Sequence, residues 1–179
     1  EFRGQWYVFY HRATHNSNMM RKACVEPITF NADGSINEVE MTSQGAGGPL
    51  DAVGQIDAER ACLLTGNVRI QAFAVDNEEL GEIRNGDRAA FKYIDFSKGV
   101  DKVTMRVAPG VKGGKIELVL DYPWRWPIGV VEISGDDKGG WCEITVPIQK
   151  TIGVHALWLR FSGQGDDLFA VDWLKFNHQ

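Results

Sequence analysis

The chain has 179 residues, with 19 Lys and Arg against 24 Asp and Glu, for a formal net charge of −5. Hydrophobic residues at 44% and charged residues at 24% match an ordinary folded protein and exclude bulk disorder. Nucleic acid is a poor partner for this acidic chain, whose largest basic cluster is Arg21-Lys22, and no apolar run approaches the ~20 residues that span a bilayer, so no membrane partner is expected. Glu1–Gln5 lacks the charged-then-apolar layout of a signal peptide, which leads us to expect a mature protein or a fragment of one.

Period-two alternation recurs along nearly all of the chain, and helical periodicity almost nowhere. Gln5–His11 sets Trp6, Val8 and Tyr10 on one face and Tyr7 and Phe9 on the other. His11-Arg12-Ala13-Thr14-His15 then leaves this strand, so its two histidines belong to a strand end and not to a helical metal pair. Cys24–Phe30 and Val39–Ser43 are predicted strands flanking Asn31-Ala32-Asp33-Gly34, a turn sequence. Gln44–Pro49 has few side chains and reads as a linker, so we divide the chain into residues 1–43, a linker at 44–50, and residues 51–179. The front piece is too small to bury a core of its own, whereas the back piece is long enough for an independent sandwich. Ala58–Leu64 favours a short helix that Gly66 stops.

Eight further strands are predicted at Val68–Val75, Arg88–Phe96, Lys102–Val107, Lys115–Leu120, Ile128–Ile133, Cys142–Val146, Val154–Phe161 and Leu168–Phe176. Turn clusters such as Asn85-Gly86-Asp87, Gly113-Gly114, Gly135–Gly140 and Gly163–Asp167 separate them. That rhythm predicts an all-β fold, an antiparallel sandwich or barrel.

Cys24, Cys62 and Cys142 allow one bridge at most and show no C-x-x-C spacing, so they read as small buried hydrophobes. First and last strands of a sandwich often pair, which would bring Asp57, Glu59 and Asp172 together. Such hard oxygen ligands suit Ca²⁺, although spacing alone favours reading them as solvated edge charges. Saccharides offer apolar C–H faces, which exposed rings can stack on. Trp141 follows Gly139-Gly140 at a loop-to-strand junction, and Trp124 and Trp126 lie in a loop because Pro123 and Pro127 disrupt a ladder there. Trp158 and Trp173 sit within strand patterns and are expected in the core. Neither a Ser/His/Asp arrangement with local context nor a phosphate-binding glycine loop is present, and no catalytic carboxylate pair can be chosen among 24 acids by spacing.

From Ile56 to Phe176 the chain resembles a family 6 carbohydrate-binding module. The resemblance is carried by Ile56-Asp57-Ala58-Glu59, Leu80–Phe96 (LGEIRNGDRAAFKYIDF), Lys115–Asp121 (KIELVLD), Gly139-Gly140-Trp141, Gly153–Phe161 (GVHALWLRF) and Leu168–Phe176 (LFAVDWLKF). It implies a β-sandwich with jelly-roll topology and a structural Ca²⁺ held by Asp57, Glu59 and Asp172. Members that bind at the loop end clamp a sugar between two rings, aided by an Asn and a Glu. Here Trp141 keeps one ring, while Glu82, Ala170 and Gln71 stand where the other ring, the Asn and the Glu belong.

Residues 1–43 are similar to the last blade of a family 43 glycoside hydrolase of the arabinoxylan-debranching type. Gly4–Arg12 (GQWYVFYHR), Arg21–Ile28 (RKACVEPI) and Asp33–Gly45 (DGSINEVEMTSQG) carry that similarity. That family folds as a five-bladed propeller with its catalytic carboxylates on earlier blades. The resemblance therefore implies the non-catalytic C-terminal part of a larger extracellular enzyme. Its expected role is to hold the appended hemicellulase on xylan or arabinoxylan through Trp141, Gln71, Glu82, Trp124 and Trp126. The alternative is a degenerate module that docks on the catalytic propeller and stabilises it without touching sugar.

Overall fold

In a strand, successive side chains project to opposite faces, so a period-two pattern gives each strand one face to bury. The computed structural model describes residues 1–15, 19–97, 99–136 and 139–178, and it realises that pattern almost throughout. Strands β1 (Trp6–Ala13) and β2 (Arg21–Ile28) pair antiparallel in a separate two-stranded front sheet. After them come β3 (Leu50–Asp51), β4 (Ile56–Asp57), a 3₁₀ turn at Ala58–Arg60, β5 (Leu63–Thr65), β6 (Arg69–Ala74), β7 (Asn77–Gly81) and β8 (Arg88–Asp95). The chain ends with β9 (Val100–Pro109), β10 (Gly113–Leu120), β11 (Gly129–Ser134), β12 (Cys142–Thr151), β13 (Val154–Ser162) and β14 (Phe169–Asn177).

These later strands form two six-stranded sheets. The first runs β11-β10-β13-β8-β3, with β5 also on β8, and the second runs β12-β9-β14-β7-β6, with β4 also on β14. From β8 onward the chain passes repeatedly from one sheet to the other, which makes the expected β-sandwich of jelly-roll topology. Ile116, Leu118, Leu157, Leu159 and Phe161 from the first sheet meet Val103, Met105, Val107, Leu174 and Phe176 from the second in a continuous core. Each such side chain contributes roughly 1.5–3 kcal/mol by leaving water. Rings interlock there: Phe96 meets Phe176 edge-on with centroids 4.9 Å apart. Among the described residues no helix is long and apolar enough to cross a membrane.

Asp87 ties β5, β6 and β8 together. Its carboxylate is buried and accepts from the backbone N–H groups of Asn67 at 3.0 Å, Val68 at 2.9 Å and Arg84 at 3.0 Å. Gly66 makes room for it: φ is +91° there, and a Cβ would lie 1.9 Å from Asp87 Oδ1.

Several expectations change. Val39–Ser43 forms no strand, because its polar groups bond elsewhere. Thr42 N–H and Oγ1 donate to the buried Glu26 carboxylate, each at 2.8 Å, and Ser43 N–H donates to Lys92 O at 2.5 Å. The helix at Ala58–Leu64 shrinks to the 3₁₀ turn, since Leu63–Thr65 is drawn into pairing with β8. Leu50, placed in the linker from sequence, is buried in β3. Trp158 and Trp173 are half-buried on the outer faces of their sheets, because their neighbours Leu157, Leu159 and Leu174 take the core side. The cysteines are free, and only Cys62 is fully buried; Cys142 is exposed. Asp137 and Lys138, within the predicted Gly135–Gly140 turn, lie outside the described residues.

Polar contacts join the front sheet to the sandwich. Thr14 O accepts from Ile70 N–H at 2.9 Å, Arg12 Nη2 donates to Glu59 O at 3.0 Å, and Lys22 pairs with Glu78. Glu40 receives Lys92 Nζ and Tyr93 Oη, both at 2.7 Å. The Glu40 partnership pushes the Tyr93 pKa up to about 12.

Candidate carbohydrate-binding surfaces

Trp141 immediately precedes β12, whose register sets Cys142 opposite Val107 and Glu143 opposite Arg106. The half-buried indole gathers two neighbours that sequence reasoning missed. Phe73, near the end of β6, lies with its ring centroid 4.7 Å away at an interplanar angle of 45°. The Arg106 guanidinium sits 4.9 Å from the Trp141 centroid. Arg106 also forms an ion pair with Asp172, which is 3% exposed and accepts from Asn77 Nδ2 at 3.4 Å. One connected network thus runs from Trp141 to Phe73 on β6, and through Arg106 on β9 to Asp172 on β14 and Asn77 on β7. The only sequence signal for the two missed residues is alternation, which sets Phe73 two positions after Gln71 and Arg106 two after Thr104.

Gln71 and Glu82 lie on the strand and turn beside this network and bond to other partners. Gln71 Nε2 donates to Glu79 Oε1 at 2.7 Å, and burial pushes the Glu79 pKa up. Glu82 follows β7 at φ +51° and pairs with Arg69 at 3.2 Å. Ala170, opposite Ala108, offers no polar group. Trp141 is therefore not one half of a two-ring clamp. It belongs to a mixed aromatic and cationic surface that can stack a C–H face and donate N–H groups to hydroxyls.

A second surface stands on the first sheet, in the loop between β10 and β11. Asp121 takes φ +64° and donates its N–H to Ala156 O at 2.8 Å, which turns the chain out of β10. The Trp158 indole donates to Asp121 O at 3.1 Å, and Arg160 Nη1 donates to Pro123 O at 3.0 Å and Arg125 O at 3.4 Å. Asp121 also pairs with Arg125 and with His155, each at 3.0 Å. On this braced loop Tyr122 and Trp124 stack with centroids 5.1 Å apart and planes 25° from parallel, and the Arg125 guanidinium lies 5.1 Å from the Tyr122 centroid. Trp124 is 75% exposed and Trp126 is 92% exposed.

The three carboxylates expected to share a cation do not assemble. Among the described residues no three His, Cys, Asp or Glu side chains gather in a metal-holding group. Asp57 and Glu59 remain neighbours. Asp57 lies opposite Trp173 in the β4–β14 pairing and accepts from Gln55 Nε2 at 2.8 Å. Glu59 Oε2 is buried without a hydrogen-bond partner; burial pushes its carboxyl pKa up and the charge of Asp57 adds to that. An orphaned buried oxygen beside a second carboxylate fits a hard divalent cation such as Ca²⁺. Asp172 does not join them, because a bulge in β14 between Val171 and Trp173 turns it to Arg106.

Compared with known proteins, residues 57–178 match the sequence profile of the carbohydrate binding module, family 6. The chain belongs to this family. It is 34% identical to a xylosidase/arabinosidase of Thermoclostridium stercorarium over 92% of this chain and 38% of that protein. Among solved structures, a glycoside hydrolase family 43 arabinoxylan arabinofuranohydrolase from Bacillus subtilis, in complex with cellotetraose, superposes with a TM-score of 0.73 at 28% identity. The match covers 99% of this chain and 39% of that one. A structure from Clostridium stercorarium in complex with cellobiose superposes with a TM-score of 0.67 at 29% identity, over 75% of this chain and all of that one. This family 6 chain thus spans under two fifths of the larger relatives, and the family 43 enzyme accounts for the front sheet as well as the sandwich.

Proposed function

We propose that this chain is a non-catalytic module that binds xylan or arabinoxylan and holds an attached hemicellulase on that polymer outside the cell. The observation that carries this reading is the Trp141 surface. It keeps the ring expected at the loop end of the sandwich and adds Phe73 and Arg106, with Gln71 and Glu82 on the adjoining β6–β7 hairpin. Tethering raises the local substrate concentration, so even modest affinity is useful. Asp57 and Glu59 are proposed to hold a structural Ca²⁺, which would partner the buried Glu59 oxygen that no hydrogen bond reaches.

Isothermal titration with xylohexaose in excess Ca²⁺ tests the reading. Saturable heat is expected, and Trp141→Ala should weaken it by roughly tenfold or more, the loss of a stacking ring and its neighbours. Absence of heat with xylohexaose and of retention on polymeric arabinoxylan would overturn it. The second reading would then stand, a module that docks on a catalytic propeller. That reading is favoured by the polar seam already joining residues 1–43 to β8, the 3₁₀ turn and β7.

A further inference from the structure

We infer that the Tyr122–Trp126 loop is a second binding site for a neutral saccharide chain, separate from the Trp141 surface. This rests on the carbohydrate-binding reading above but on different residues. Trp124 and Trp126 leave most of their ring area in water, at 75% and 92% exposure, on a loop where no packing requires tryptophan. Large apolar rings concentrated on one exposed loop mark a contact surface.

The loop backbone is also braced, and Trp124 is held on it. The carbonyls of Asp121, Pro123 and Arg125 are held from the sheet by the side chains of Trp158 and Arg160, and Arg125 N–H closes a turn onto Tyr122 O at 3.1 Å. Tyr122 backs Trp124 in a near-parallel stack. Rings ordered before the ligand arrives lose little entropy on binding.

The charges around the rings decide the class of occupant. Arg125 is paired with Asp121, Arg160 with Glu117 at 2.9 Å, and His155 with Asp121. Paired in this way, the rim carries little net charge but keeps N–H donors and carboxylate lone pairs at the ring edges. It suits a ligand with apolar faces and hydroxyl edges, and it gives no preference for an acidic or basic polymer. The loop extends from the Leu118/Gly129 end of the first sheet, whereas Trp141 precedes β12 of the second sheet near Val107, so the two sites are separate, and a polymer that reaches both would bind with an avidity that short oligosaccharides do not show.

Depletion isotherms on insoluble arabinoxylan test the inference, using the full chain, Trp124→Ala/Trp126→Ala, Trp124→Phe/Trp126→Phe, and Trp141→Ala. The double alanine protein should bind the polymer at least about tenfold more weakly with an unchanged melting temperature, and the double phenylalanine protein should regain part of the loss. Full-strength retention of the double alanine protein would overturn the second site while leaving the Trp141 reading intact, and would return the loop to a protein contact. Loss of polymer binding on Trp141→Ala alone, with the loop variants unaffected, would do the same. Failure of the unaltered chain to bind would overturn both.

Discussion

Asp172 keeps its carboxylate almost out of water because Arg106 meets one oxygen and Asn77 the other. A buried charge is tolerable only while paired, and removing one partner of such a pair is far costlier than the pair is stabilising. Arg106→Ala should therefore destabilise the fold by about 3 kcal/mol in urea titration. Arg106→Lys should recover part of that, because an ammonium supplies the charge without the planar fork. A change below about 1 kcal/mol would show that water, and not Arg106, satisfies Asp172. The same guanidinium lies against Trp141, so one residue links the stability of β14 to the shape of the Trp141 surface.

Among the elements, the junction of β5, β6 and β8 depends on the Asp87 carboxylate, which three backbone N–H groups reach from two separate segments. Asp87→Asn replaces one oxygen with a donor. Placed at Oδ2, the new NH₂ would face the N–H groups of Val68 and Arg84, and at Oδ1 it would face that of Asn67. An expected loss of roughly 2–4 kcal/mol follows from these unsatisfied groups, measured as a shift in the urea midpoint at constant slope. A shift indistinguishable from zero would mean the junction is held by packing alone. Gly66 is part of the same device, since no side chain fits beside that carboxylate.

At the scale of the whole molecule, the front sheet and the sandwich share a polar seam, and Glu59 lies along it with an unpaired buried oxygen. A cation held by Asp57 and Glu59 would bind the folded chain only and stabilise it by mass action, by ~2.7 kcal/mol at a hundredfold excess over the dissociation constant. Excess Ca²⁺ should thus raise the melting temperature above that in EDTA, and Asp57→Asn/Glu59→Gln should abolish the difference. Identical melts with Ca²⁺ and with EDTA would remove the metal from these residues. The family match and the superpositions fix the architecture within which all of these sites are placed.

Nearly every strand from β6 to β14 was legible in the sequence, because the pleat forces a period of two and the turn clusters are rich in glycine. The pairing of β4 with β14 followed from general sandwich topology. Trp124, Trp126 and Trp141 stood out for a local reason, namely prolines or glycines beside a ring. Only the tertiary structure brought Phe73 and Arg106 to Trp141, since residues from β6 and β9 become neighbours of one preceding β12 through long-range pairing, which local alternation does not encode. It also decided against the three-carboxylate cluster, because a single bulge in β14 turns Asp172 toward Arg106. Val39–Ser43 alternates like a strand and forms none, because Glu26 and Lys92, distant in the chain, take its backbone hydrogen bonds. Face and period are properties of a segment; partners are properties of the register between segments.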